Sequence, residues 1–518
     1  MFRSALLLGV CAMAVGCGEQ PQPTGDTHTT ADIPQTSSDA AASGAAQESA
    51  EAAASERMIA FPGADGFGRY ASGGRGGAVY TVTNLYDAGP GSLREGIEAE
   101  GPRTIVFAVS GTIQLESPLR ILNGDITVAG QTAPGAGIAL RDYPLQINAN
   151  NVILRYIRSR IGGASHVEDD AISIVGGSDI IVDHVSTSWA IDETLSASQS
   201  YRGTPGQKHL TNLTVQWSII AEGLYHAGHE KGDRAYGSLI RGNAGARYSW
   251  HHNLWANQHS RMPRIGNYAT PFDDTEGLLL DFRNNVFYNW GHGAETDFWD
   301  WVPASASFDP STQMGLNQDP LYGREGTDFH YAAGTDLDPA SVAQYNFVNN
   351  AYVQGPQTLG PVIFYMRNAT GRAYFEGNTM DGEHVEQRPM LRSAAHDLSW
   401  VDQPYDVVFG ETEDALDAFE AVLESAGASH WRDSADTRII DDVRNGTGRI
   451  ISSEDEVGGW PDLPGGPART DSDGDGIPDD WESENGLDPS NPADGASDAD
   501  GDGYTALEDW MNGLVAGR

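Results

Sequence analysis

Short β-rich runs recur along most of this chain at intervals of about 30 residues, and this repeat restricts the possible folds more than any other feature. The runs include Asn151-Val152-Ile153-Leu154, Asp179-Ile180-Ile181-Val182, Asn212-Leu213-Thr214-Val215, Arg247-Tyr248-Ser249-Trp250, Leu280-Asp281-Phe282-Arg283, Gln344-Tyr345-Asn346-Phe347 and Ala373-Tyr374-Phe375. Several are followed by an asparagine: Asn253, Asn285, Asn350 and Asn378. Asparagine tolerates left-handed backbone geometry and hydrogen-bonds its equivalent one coil away, so a repeated asparagine at a corner suits a stack. A β-propeller would need about four strands per repeat and longer repeats. Roughly three short strands fit into each interval here, which predicts a right-handed parallel β-helix, an all-β solenoid whose inward side chains stack into one elongated core.

One interval is about double the others, and the Asp/Gly/Trp-rich stretch from 291 to 340 fills it. It reads as a long loop inserted on one face. Thr412 to Ala426 reads as an amphipathic helix, with Ala415, Leu416, Phe419, Val422 and Leu423 on one face and Gly427 beyond its end. Packing against the solenoid is its expected duty.

The 518 residues carry 31 Lys+Arg against 73 Asp+Glu, a formal charge of −42, which excludes nucleic-acid binding through bulk charge. Both cysteines, Cys11 and Cys17, lie near the N-terminus, so no disulfide staples the fold. Arg3 and the apolar run Ala5–Val15 read as a signal peptide, too short to span a bilayer. The string Ala14-Val15-Gly16-Cys17 resembles a bacterial lipobox, which implies export and a membrane link only through a lipid on Cys17. Residues 18–57 contain no aromatic residue and read as a disordered tether. The expected organisation is therefore a signal segment at 1–17, the tether at 18–57, the β-helix with a C-terminal wrap at 58–460, a Pro/Gly linker at 461–470 and an acidic module at 471–518.

Several strings resemble, in order, those of polysaccharide lyase family one, the pectate and pectin lyases. They are Ala60-Phe61-Pro62-Gly63-Ala64-Asp65-Gly66-Phe67-Gly68, Gly91-Ser92-Leu93-Arg94-Glu95, Asp170-Ala171-Ile172, Val182-Asp183-His184, Trp250-His251-His252-Asn253 and Arg261-Met262-Pro263-Arg264. The resemblance implies β-elimination on a uronate polymer, pectate first among them. That reaction removes the proton beside a sugar carboxylate, so a site must neutralise the carboxylate and stabilise the enolate that forms. Oxygen ligands holding Ca²⁺ meet the first need. By the same resemblance Glu168, Asp170 and Asp192, with Glu193 beside them, are the expected calcium ligands, and Arg261 is the expected base.

Free arginine stays protonated, so an arginine base demands unusual surroundings, and Arg264 or Lys231 would supply positive charge and clamp substrate carboxylates. Both lysines of the chain, Lys208 and Lys231, and six arginines fall between 200 and 267, a basic window in a very acidic protein. One departure from the family pattern is Ile265-Gly266 after Arg264, where many members carry a further arginine. His184, His251 and His252 read as structural.

Past Pro461–Pro467 the acids fall into calcium-loop spacing. Asp471, Asp473, Asp475, Ile477 through its carbonyl, Asp479 and Glu482 occupy positions 1, 3, 5, 7, 9 and 12 of an EF-hand loop, with Gly476 at 6. Asp498, Asp500, Asp502 and Asp509 begin and end a second loop. The pattern resembles thrombospondin-type-3 or dockerin units, and it leaves open whether the module meets a cell-surface partner or only caps the chain. The combined expectation is a monomeric, Ca²⁺-dependent, exported lyase of acidic polysaccharide. Two alternatives are a polygalacturonase-type hydrolase, suggested by Asp169-Asp170 and Gly291-His292-Gly293, and a non-catalytic polysaccharide-binding solenoid.

Overall fold

The computed structural model describes residues 57–199, 208–266, 276–291, 343–358, 364–366, 371–393 and 400–516. The signal segment, the tether, the loop expected at 291–340 and the His292 of the hydrolase-like string lie outside the described residues, Arg57 and Gly291 excepted.

Three sheets wind around one core. The first runs through ten strands: Ala78–Val82, Arg103–Phe107, Ile126–Ala129, Val152–Arg155, the end of Ile172–Asp183, Leu210–Gln216, Ala246–His251, Leu278–Arg283, Ala343–Val348 and Gly371–Glu376. The second follows it around each corner, from Gly111–Gln114 through Ile157–Arg160, Leu254–Gln258 and Val286–Trp290 to Thr379–Met380. A shorter third sheet contains Leu119–Ile121, Leu145–Asn148, the start of Ile172–Asp183, Leu195–Ser198, Leu239–Arg241 and Arg264–Gly266. Among the described strands all pairings are parallel except Thr379–Met380 with Glu383–His384. This is the parallel β-helix that the repeat predicts.

In-register coils set equivalent residues one strand spacing apart, roughly 4.8 Å, so like side chains stack. Val182 pairs with Val215, which pairs with Trp250, and Trp250 pairs with Phe282. Phe282, Phe347 and Phe375 then stack at 5.0 and 5.1 Å between ring centroids, and Trp255, Phe287 and Tyr352 do so at 4.8 and 4.9 Å. All except Phe375 are essentially inaccessible to solvent.

The asparagines form a continuous ladder. Asn253 donates from its backbone N and its Nδ2 to Asn285 Oδ1, at 3.0 and 3.1 Å. Asn285 does the same to Asn350 and Asn350 to Asn378, all four being fully buried. The left-handed corner falls one residue earlier than the sequence suggests, at His252, Asn284, Asn349 and Gly377. The ladder residues are therefore selected for hydrogen bonding, and the corner accepts several residue types.

The helix Ala415–Ser425 buries Ala415, Ala418, Val422 and Leu423, packs Val422 and Leu423 in one cluster with Ile219, Leu254 and Val286 of the second sheet, and leaves Leu416 exposed. Next comes the helix Ser434–Asn445, capped by Asp433 and fastened by a buried charge network. Arg160 binds Asp433 and Asp436, both at 2.7 Å, and Arg158 Nε lies 3.1 Å from Asp433. The residues from Met58 onward form one compact unit, in which the acidic C-terminal stretch packs on the outside of the first sheet. No helix among the described residues is long and apolar enough to cross a membrane.

Candidate active site

The third sheet has an edge where chemistry-bearing residues accumulate, because the chain enters each of its strands there. Asp170 precedes the strand beginning at Ile172, and Asp192-Glu193 precede Leu195–Ser198 on the next coil. Glu193 then bridges Tyr236, and Tyr236 bridges Ser260, the neighbour of Arg261. Four successive coils thus bring Asp170, Asp192, Glu193 and Arg261 onto one edge of one sheet.

Asp170, Asp192 and Glu193 each bring a carboxylate oxygen within 4.8 Å of the others. Asp170 is further fixed, accepting from Ser173 Oγ at 3.0 Å and from the Glu193 backbone N at 3.2 Å. Burial first, and then the charges of Asp192 and Asp169, push its carboxyl well above the ordinary range. Three hard oxygen donors under mutual repulsion are the donor set that a divalent cation relieves.

Arg261 is buried, ion-pairs through Nη1 with Glu193 Oε1, and lies 4.0 Å from the Tyr236 ring centroid. Its backbone is left-handed, with φ 58°. Arg264 is fully buried on its strand, so a uronate would have to reach below the surface to meet it. Lys231 is exposed, and its backbone N donates to His229 Nδ1 at 3.0 Å. Glu168 stands outside the three-acid group. Its Oε1 accepts from Glu230 N at 2.9 Å, and the His229 ring stands between the two acids, with Nδ1 3.4 Å from Glu168 Oε2 and Nε2 3.5 Å from Asp192.

Two further basic groups complete the edge. Arg234 Nε lies 3.3 Å from Asp192. Arg241 donates to Ser198 Oγ at 3.0 Å, and burial pulls its guanidinium down to about 9 against the raising pull of Asp170. Both belong to the basic window visible in the sequence, but only coil register distinguishes them from the window's other arginines. His184, His251 and His252 lie at the corner between the first and second sheets. There His184 stacks on Tyr156 at 4.7 Å and His252 on Trp217 at 4.2 Å. They border a separate cavity of about 540 Å³ whose lining includes none of the three acids or Arg261.

The acidic tail holds two more carboxylate groups. Asp473, Asp475 and Glu482 converge with Asp494, which the loop spacing does not identify, and Asp498, Asp500 and Asp502 converge at the surface. Asp471 and Asp479 are engaged within the first loop. Asp471 accepts from Gly474 N and Gly476 N at 2.7 and 3.1 Å, and Asp479 accepts from Ser472 N and Oγ, both at 2.7 Å. The Ile477 side chain is buried against the solenoid. Burial, followed by the charges of Asp502, Asp500, Glu508 and Asp498, lifts Asp509 to about 6.

No family model matches the chain. Curated relatives do. The probable pectate lyase C of Aspergillus terreus is 37% identical over 467 residues, covering 88% of this chain and 94% of the relative. That of Emericella nidulans is 37% identical over 469 residues, covering 88% and 93%. Among solved structures, a Bacillus subtilis pectate lyase mutant superposes with a TM-score of 0.44 at 14% identity, over 73% of this chain and 99% of the other. Identity of this level across nearly the full length of the fungal relatives shows that the chain belongs to the pectate lyase family.

Proposed function

We propose that this protein cleaves pectate, a polymer of uronate sugars, by Ca²⁺-assisted β-elimination at the edge of the third sheet. The observation that carries the reading is the convergence of Asp170, Asp192 and Glu193 within 4.8 Å, with Arg261 on Glu193. In this reading Asp170, Asp192 and Glu193 hold the cation, and Glu168 stands beside them across the His229 ring. A bound Ca²⁺ would neutralise the carboxylate of the reacting sugar and stabilise the enolate charge.

Arg261, after giving up one guanidinium proton to solvent in the positively charged surroundings of the site, takes the proton from the carbon beside that carboxylate. The electron pair left behind forms a double bond to the next ring carbon as the bond from that carbon to the glycosidic oxygen breaks. The leaving oxygen takes a proton from solvent water, and the new chain end is unsaturated. For this, Arg261 must exchange Glu193 for the substrate. Lys231, Arg234 and Arg241 offset the −42 charge locally, which an anionic polymer requires. Lys231 is the candidate contact to a flanking carboxylate, whereas the fully buried Arg264 contributes its positive charge from beneath the surface.

The acidic tail loops take Ca²⁺ as well, through carboxylates of Asp473, Asp475, Glu482, Asp498, Asp500, Asp502 and Asp509. Asp471, Asp479 and the Ile477 carbonyl shape the first loop or complete its coordination. The chain is exported, carries a lipid on Cys17 and acts as a monomer. The test is incubation of purified protein with polygalacturonate, with and without a chelator, while ultraviolet absorbance from unsaturated ends is followed. New reducing ends without that absorbance would indicate hydrolysis instead.

A further inference from the structure

Glu482 is completely buried, and neither of its carboxylate oxygens has a hydrogen-bond partner among the described residues. The same holds for Asp475 Oδ2, Asp473 Oδ2 and Asp494 Oδ1, which are also shielded from solvent. Unpartnered buried carboxylates are costly, and four that converge within 4.8 Å on one point require a positive charge there. Asp471 and Asp479, the first and ninth residues of the loop spacing, spend their oxygens on the loop's own backbone and on Ser472. The fourth acid comes from outside the loop. Asp494 lies beyond the helix Asp479–Asn485, where the chain folds back so closely that a Cβ on Gly495 would meet Asp475 Oδ2 at 2.2 Å.

The two partners of this convergence are attached to different parts of the packing. Asp475 adjoins Ile477, which is buried against Val106 and Ala129 on the outside of the first sheet. Asp494 begins the segment whose Gly495 and Ser497 carbonyls accept from Leu507 N and Ala506 N, at 3.0 and 2.8 Å, and so position the helix Ala506–Gly513. That helix packs Leu507, Trp510 and Met511 on the same face. It also holds Arg75 through Glu508 at 2.8 Å and Arg155 through Asn512 at 3.1 Å.

We propose that a Ca²⁺ ion held by Asp473, Asp475, Glu482 and Asp494 is an intramolecular clasp. It locks the first loop to the returning segment and thereby fastens the C-terminal helix over the early coils of the solenoid. The proposal rests on the reading that the tail takes Ca²⁺, and it adds Asp494 as a ligand in place of Asp471 and Asp479. In this role the apolar face of the helix is committed to the chain's own first sheet and is not presented to another protein.

The test uses the full-length chain and compares Asp494→Asn with Asp471→Asn by Ca²⁺ calorimetry and amide hydrogen exchange. The expected result is that Asp494→Asn weakens one Ca²⁺ site at least about tenfold while Asp471→Asn weakens it less. Amides of residues 506–513 should exchange at least about tenfold faster both in Asp494→Asn and in chelator-treated wild type. A larger loss in Asp471→Asn would restore the ordinary loop ligation and overturn the role of Asp494. Unchanged exchange at 506–513 after chelation would overturn the clasp even if Ca²⁺ binds. A wild-type chain that binds Ca²⁺ only at a site abolished by Asp170→Asn would overturn the reading of the tail itself.

Discussion

Arg261 and Glu193 stand two coils apart on the same sheet edge, and the guanidinium crosses the Tyr236 ring to end on the Glu193 carboxylate. The same carboxylate belongs to the three-acid group, so the residue proposed to take the proton and the residues proposed to hold the cation share an atom-level contact. Replacing Arg261 by Lys should reduce turnover by about 10²- to 10⁴-fold. Ca²⁺ affinity should hold or increase in Arg261→Met, because a positive charge beside the acids is removed, and should fall in Glu193→Gln. Calorimetry beside initial rates checks this, and weaker Ca²⁺ binding in Arg261→Met would contradict it.

The wrap is fastened at Arg158 and Arg160, both about 1% exposed, by Asp433 and Asp436. Burial works to raise the Asp433 carboxyl, but Arg160 and Arg158 outweigh it and hold it near about 2. Asp433→Ala takes one of two carboxylate partners from each of two buried guanidinium groups and removes the cap of the helix Ser434–Asn445. We expect a loss of about 3–5 kcal/mol in urea unfolding. A loss under about 1 kcal/mol would mean that the network relaxes without this carboxylate.

Acid sensitivity has an identifiable contributor in Asp183. It is fully buried and meets Arg155 Nε, His184 Nδ1 and Gln216 Nε2, each at 2.8 Å. Burial pushes its carboxyl up, yet His184 and Arg155 prevail and hold it well below the ordinary range. A carboxyl depressed on folding stabilises the protein fully above its unfolded value of about 3.9, and that contribution is lost as pH falls toward the folded value. Wild type should therefore lose urea resistance progressively below about pH 4. Asp183→Asn should be weaker at neutral pH with a shallower acid decline, and parallel declines would contradict the assignment.

In the asparagine ladder, Asn285→Ala removes the acceptor for Asn253 N and Nδ2 and the donor to the Trp250 carbonyl. At roughly 1–3 kcal/mol for each buried group left unpaired, the variant should lose about 3 kcal/mol or more. Denaturant midpoints measure this, and near-wild-type stability would show that the groups find other partners.

The solenoid is legible in the sequence because each coil repeats the same few requirements, including inward apolar pairs such as Val182 and Val215 and a ladder asparagine. Asp170, Asp192, Glu193 and Arg261 are recoverable from motif order, since coil register then brings them together. Glu168 stands apart from the acid group, its carboxylate accepting from Glu230 N beside His229, a contact that depends on how a long connection folds back. Asp494 is invisible to loop spacing because it comes from a later turn that closes over Asp475. Leu416 fits the apolar period of its helix but faces solvent, because the buried stripe runs through Ala415, Ala418 and Val422.

The most direct measurement of the central claim follows unsaturated product from polygalacturonate in wild type and in Arg261→Lys, each with Ca²⁺ and with chelator. The account predicts ultraviolet absorbance growing in wild type with Ca²⁺, at least about a hundredfold more slowly in Arg261→Lys, and not at all in chelator. Comparable absorbance from Arg261→Lys, or from wild type in chelator, would contradict it.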